Sequence, residues 1–212
     1  MFYTIRAIIG IVLFIICLII INKKRFLAHK RRLTIVSFIM VLLLTTVTFF
    51  VPVENLFITF PTLESSYKYN NSNCIDLIVD GEKSAFVVGS QNDIDNYFIV
   101  PKSNDGWKLG MGFNKKIVGK KLLDDIIIYL YQYKGTNDYY ITIFNVKKDS
   151  LNISDSINSK FQYTEKYNNV ECKNYYAYFA YIGNLNYNYT LTVNGKTIKM
   201  VDESFSDNNL LH

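Results

Sequence analysis

The chain has 212 residues, half of them hydrophobic and 16% aromatic, with 23 Lys and Arg against 18 Asp and Glu. Every acid lies at or beyond Glu54 while seven basic residues precede it, leaving 16 basic against 18 acidic residues, about −2, for the rest of the chain. The basic balance therefore belongs to the N-terminus, which argues against DNA or RNA as a partner of the remainder.

Residues 33–51 form a run of 19 without a charge. At about 1.5 Å per residue such a run crosses roughly 29 Å, close to the hydrocarbon thickness. An earlier apolar run, residues 7–21, is shorter, but residues 1–5 are largely apolar and Arg6 can snorkel its guanidinium to the headgroups. Together they predict a two-helix transmembrane hairpin over residues 1–53. A cleaved signal peptide fits less well, because residues 17–22 offer no small-x-small site and the basic cluster follows the apolar run. Lys23, Lys24, Arg25, Lys30, Arg31 and Arg32 fill the connection. The positive-inside rule places them in the cytoplasm, against anionic lipid headgroups, and sends both termini outside the cytoplasmic membrane.

The remainder reads as an exported α+β domain. A short helix is expected over residues 60–69, with Pro61 near its first turn, Glu64 at the N-terminal dipole, Leu63 and Tyr67 on one face, and Asn70 and Asn71 ending it. A meander follows: residues 74–79, an Asp80-Gly81 turn, residues 85–88, then 97–101 and 107–111 around Gly106. Pro101 marks a strand end or edge. Residues 115–121 read as a basic, glycine-broken connection. Beyond it, strands over 126–133, 139–146, 175–182, 189–193 and 197–201, the last two joined by Asn194-Gly195, suggest a small β-sandwich of possible immunoglobulin type. The boundaries are thus 1–53, a helix-plus-meander subdomain 54–113, a sandwich-like subdomain 120–203 and a disordered tail 204–212.

In the segments around Pro61 to Tyr69, Asp80-Gly81 to Val88 and Pro101 to Leu109, the chain resembles uncharacterised membrane-anchored or secreted envelope proteins of low-GC Gram-positive bacteria. Those join an N-terminal hydrophobic segment to such a helix-plus-meander unit. The resemblance covers residues 60–109 and implies an envelope location, with no activity, cofactor or catalytic residue attached.

The chemistry is constrained by scarcity. His29 and His212 are the only histidines, so a Ser-His-Asp or Cys-His centre has no histidine within the exported part short of its last residue. Cys74 and Cys172 alone cannot build a zinc shell. They can instead close a loop of roughly 100 residues, worth about 4–5 kcal/mol on the chain-entropy model, or remain as two thiols. Cys17 lies in the first apolar run as a small apolar side chain. An EF-hand counted from Asp93 meets Phe98 and Asn104 where Gly and Glu are needed, and no phosphate-cradling loop is present, so no cofactor is expected.

Asp76, Asp80, Asp93, Asp95, Asp124, Asp125, Asp202 and Glu203 are the acids open to a glycosidase-type pair, though most flank turns, where solvation is the ordinary role. The surplus is aromatic. Tyr176 and Tyr178 fall on one face of a strand, Tyr175, Phe179 and Tyr181 on the other. One set builds core, and the other covers a neighbouring sheet or forms an exposed platform with Trp107 and Tyr187. The expectation is a non-enzymatic envelope protein that binds another membrane or envelope protein or senses a ligand, as in immunity or regulation. Its competitors are a glycan-binding module and a carboxylate-dependent hydrolase.

Overall fold

In the computed structural model, residues 2–22, 29–91, 94–110, 114–145, 150–168 and 173–201 are described. The chain divides into two compact units, 1–58 and 59–212.

The first unit holds α1 (Phe2–Ile21) and α2 (Lys30–Phe50). They pack antiparallel, with Gly10 placed where a Cβ would press into Thr45, and the rings of Phe14 and Phe38 5.5 Å apart. The α2 threonines return their hydroxyls to their own helix: Thr34 donates to the Lys30 carbonyl, Thr45 to that of Val41 and Thr46 to that of Leu42. These threonine hydroxyls are thus satisfied within the helix itself, as an apolar medium would require.

The expectation of a two-helix transmembrane hairpin is corrected here. Among the described residues one helix, Lys30–Thr48, is long and apolar enough to cross a membrane. The apolar stretch of the first, Ala7–Ile21, is shorter. At about 1.5 Å per residue fifteen residues reach only some 22 Å, short of a core about 30 Å thick. Two spans, and with them a return of both termini to the same side, are not supported.

A 3₁₀ turn, Val53–Leu56, precedes the second unit, which is chiefly β. Its helix, α3 (Leu63–Asn70), starts at a capping box: Ser65 N–H donates to Thr62 Oγ1 and Thr62 N–H to Ser65 Oγ. One sheet is the antiparallel meander β1 (Cys74–Asp80), β2 (Ser84–Gln91), β3 (Ile94–Ser103) and β4 (Gly106–Trp107). A second contains β5 (Lys115–Leu123), β6 (Ile126–Tyr133), β7 (Asp138–Asn145), β9 (Gln162–Asn168) and β10 (Lys173–Gly183) in the order β5-β6-β7-β10-β9. The third, β12-β11-β8, joins β8 (Ile153–Asp155), β11 (Thr190–Val193) and β12 (Lys196–Lys199).

Three clusters stack these elements into four layers. Leu63 and Tyr67 of α3 cover Ala85, Val87 and Val100 on one face of the four-stranded sheet. Its other face, with Val79, Phe86, Val88 and Ile99, meets Tyr131, Tyr140, Ala177 and Phe179 of the five-stranded sheet. The far face of that sheet, with Ile128, Leu130, Ile141, Ile143 and Ile182, is capped by Leu191 and Val193 of the third sheet and by Met200. Helix-plus-meander and sandwich are therefore not two separate cores: the five-stranded sheet is shared, its central strands buried on both faces. This is why β7 is buried along nearly its whole length instead of alternating.

Phe86 is the hub. Its ring lies 5.4–6.2 Å from those of Tyr140, Tyr131, Tyr97 and Phe179, and each such pair adds about 0.5–1.5 kcal/mol beyond area burial. Phe86→Ala is expected to lower stability by about 3–5 kcal/mol in urea unfolding of the full chain in micelles followed by circular dichroism. Tyr187→Ala, at an exposed turn, is expected to move it by less than about 0.5 kcal/mol.

Candidate interaction surface

The densest polar cluster is closed to solvent. Asp138, at the start of β7, accepts from Lys83 N–H and Ser84 Oγ at Oδ2, each at 2.8 Å, and from the Tyr181 hydroxyl at Oδ1, 3.0 Å. Because Ser84 spends its proton on the carboxylate, the Tyr140 hydroxyl 2.8 Å away donates to Ser84 Oγ. Ser84 belongs to one sheet, Asp138, Tyr140 and Tyr181 to the next, so the carboxylate pins the two sheets together at one end. Gly81 is required beside it, since a Cβ there would run into the Tyr140 hydroxyl. Ser84 and Asp138 are both essentially inaccessible, which leaves no room for a substrate.

Burial pushes the Tyr140 phenol up, and burial with the neighbouring Asp138 charge takes Tyr181 up to about 12. Burial also raises Tyr131 to about 12. A second pin holds the third sheet: the Tyr189 hydroxyl donates to Asp155 Oδ2 at 3.0 Å, while Asp155 Oδ1 accepts from Ser159 N–H at 2.8 Å.

The residues expected at a shared aromatic surface are dispersed. Trp107, half-buried in β4, pairs with Phe60 through two 2.8 Å backbone bonds and lies 5.3 Å under the Lys102 ammonium. Tyr178 is buried on one face of β10, its hydroxyl accepting from Leu151 N–H, whereas Tyr181 faces the other side toward Asp138. Tyr187 is exposed on a turn. Tyr175 lies in β10, but its side chain is outside the described residues. The more exposed aromatic of this sheet is Tyr163, on β9 beside Tyr176 and Tyr178.

Cys74 is an exposed thiol at the start of β1, and Cys172 falls outside the described residues. The same holds for Lys23, Lys24, Arg25, Asp93, Asp202, Glu203 and the tail, while Lys30, Arg31 and Arg32 form the exposed first turn of α2. Among the acids, Asp80 pairs with Lys102 at 2.8 Å and Asp124 with Lys196 at 2.7 Å. Asp76 is on β1 and Asp125 beside Asp124 at a hairpin turn, and Asp95 lies in β3 with its side chain undescribed. Among the described residues no three His, Cys, Asp or Glu come together in a way that could hold a metal ion.

The surface that stands out is one the linear reading passed over. The basic stretch expected as a connection is strand β5, an edge of the five-stranded sheet paired to β6 from Lys115↔Tyr133 to Leu123↔Ile126 with a bulge between Ile117 and Gly119. The bulge puts Lys115, Ile117, Lys120 and Leu122 on one face. Lys115 is tucked in, donating to the Tyr97 carbonyl at 2.8 Å with its ammonium 5.1 Å from the Tyr131 ring, and burial lowers its pKa. Lys120 lies over Tyr129 at 5.4 Å. Ile117 and Leu122 remain 55% and 72% exposed and join none of the three clusters. The four-stranded sheet covers the Lys115 end of this face and leaves the rest uncovered. The signal that could have found the strand is its hairpin with residues 126–133 across Asp124-Asp125, Asp124 having a φ of 52°.

Comparison of the chain with protein-family models found no match, and comparison with curated proteins and with solved structures found none either.

Asp138→Asn removes one anionic acceptor from three donors and is expected to cost about 1–3 kcal/mol in urea unfolding at neutral pH. The alkaline limb has a fixed sign. Tyr181 and Tyr131 titrate near 12 folded against 10.0 unfolded, so stability is level below about pH 10 and falls as pH rises toward 12. Absorbance at 295 nm is expected to show a late phenolate component coincident with unfolding. In Tyr181→Phe that component is expected to shrink.

Proposed function

We propose that the protein is a non-enzymatic, single-span membrane protein whose β domain stands outside the cytoplasmic membrane and binds a partner there. The observation that carries this reading is α2. Its candidate span is 6% buried, and Ile35, Val36, Phe38, Ile39, Met40, Leu42, Leu43, Leu44 and Val47 are each about half exposed. A water-exposed helix with that much uncovered apolar surface would aggregate, whereas lipid satisfies it. Lys30, Arg31 and Arg32 flank its N-terminal end and no basic residue flanks its last turn. The charge bias keeps the leading end in the cytoplasm and carries the chain from Val51 onward to the other side.

Binding is favoured over catalysis by the closure of the Asp138 cluster and by an uncovered strand at the sheet edge. The partner class, another envelope or membrane protein or an envelope ligand, follows from location. An immunity or regulatory role belongs to the same reading.

The test is fractionation of cells making a C-terminally tagged chain. The full-length protein is expected in membranes after alkaline carbonate washing. Tyr187→Cys, at an exposed turn outside β5, in a chain whose native cysteines are replaced by serine, is expected to react with a membrane-impermeant maleimide in intact cells. Release of a shortened, soluble product would mark α2 as a processed signal sequence, and labelling only after lysis would invert the orientation; either result overturns the proposal.

A further inference from the structure

We propose that the uncovered face of β5 is a membrane-docking edge that lays the β domain on an anionic lipid surface. The inference rests on the membrane anchor proposed above. Over nine residues β5 carries Lys115, Lys116, Lys120 and Lys121 and no acid. Lysines at a sheet edge have an ordinary use, since they discourage pairing with another chain's strand. That use does not call for Ile117 and Leu122, which stand out on the same face as Lys120 at 55% and 72% exposure. Two apolar side chains with a cation between them match an interface in which alkyl groups enter the headgroup layer while an ammonium group meets phosphate, and exposed Lys116, on the strand's other face, adds to the positive field of the edge.

Among the described residues, Asp124 and Asp125 stand at the turn that ends this strand, and Asp124 is held by Lys196.

Connection length favours lipid over a diffusing partner. The candidate span ends at Thr48, α2 at Phe50, and the second unit begins at Thr59. Residues 51–58, even fully extended, reach no more than about 28 Å, and part of that run is a 3₁₀ turn. The domain is thereby held at the bilayer, where a modest affinity for lipid is amplified by tethering.

The experiment uses the full chain, one copy per nanodisc, in discs of phosphatidylcholine alone or mixed with phosphatidylglycerol. Amide hydrogen exchange is read by mass spectrometry. In the anionic discs the Lys115–Leu123 segment is expected to exchange on the order of tenfold more slowly than in neutral discs, at 0.1 M salt or below. β9, the opposite edge, is expected to be unchanged. The substitution Lys120→Glu is expected to restore the neutral-disc rate in β5, with β7 exchange unaltered as the sign that the fold persists. Equal β5 rates in the two lipids, or slowing that appears only when two copies share a disc, would overturn the inference while leaving the anchor standing. A chain that does not enter discs at all would overturn the anchor and this inference with it.

Discussion

The five-stranded sheet has no solvent face across its central strands, and the rest of the β unit follows from that constraint. A sheet buried on one side can alternate apolar and polar residues. One buried on both must be apolar or aromatic throughout, and needs a covering layer for each side. The aromatic layer around Phe86 supplies one interface and the aliphatic layer of Ile128, Leu130, Ile141 and Leu191 the other. Aromatic side chains suit the first because the hydroxyls of Tyr140 and Tyr181 reach the edge of the layer, where Ser84 and Asp138 receive them.

That arrangement has a geometric cost at the edge. The four-stranded sheet is narrower than the five-stranded one and ends in a two-residue strand. Its cover reaches Lys115 through Tyr97 and leaves the remainder of β5 open. Lysine stems cover apolar surface while their ammonium groups stay wet, so a lysine-rich strand is a physically reasonable occupant of an incompletely covered edge. The same features that make β5 tolerable at the rim make it available to a negatively charged surface.

The two buried acids act differently from the turn acids. Asp138 and Asp155 each accept from a tyrosine hydroxyl and from backbone or serine donors. Desolvating a carboxylate is tolerable only when its lone pairs are filled. Asp138 ties the four-stranded sheet to the shared one, while Asp155 braces the third sheet from within, holding Tyr189 against β8. Neither was singled out in the linear sequence, where each resembles any other Asp beside a loop. Knowing that Asp138 opens a strand buried at nearly every position required the layers on both sides of it.

Several elements were legible from local chemistry. Glu64, Leu63 and Tyr67 mark a one-sided helix, which the structure starts at Leu63 behind a Thr62 cap and not at Pro61, residues 126–133 read as a strand from their apolar run, and Asn194-Gly195 adopts the two positive φ values, 50° and 79°, that its hairpin turn needs. The apolar character of α2 was legible for the same reason, since a run of 19 residues without a charge is plain from the composition of that segment alone. Pairing between distant strands was not legible: the order β5-β6-β7-β10-β9, the burial of both aromatic faces of β10, and the conversion of residues 115–121 from connection to edge strand. Sequence by itself determined which segments are helical, extended or apolar, because those preferences act over a few residues. Only the tertiary structure decided which faces are covered, and an uncovered face is defined by neighbours that lie far away along the chain.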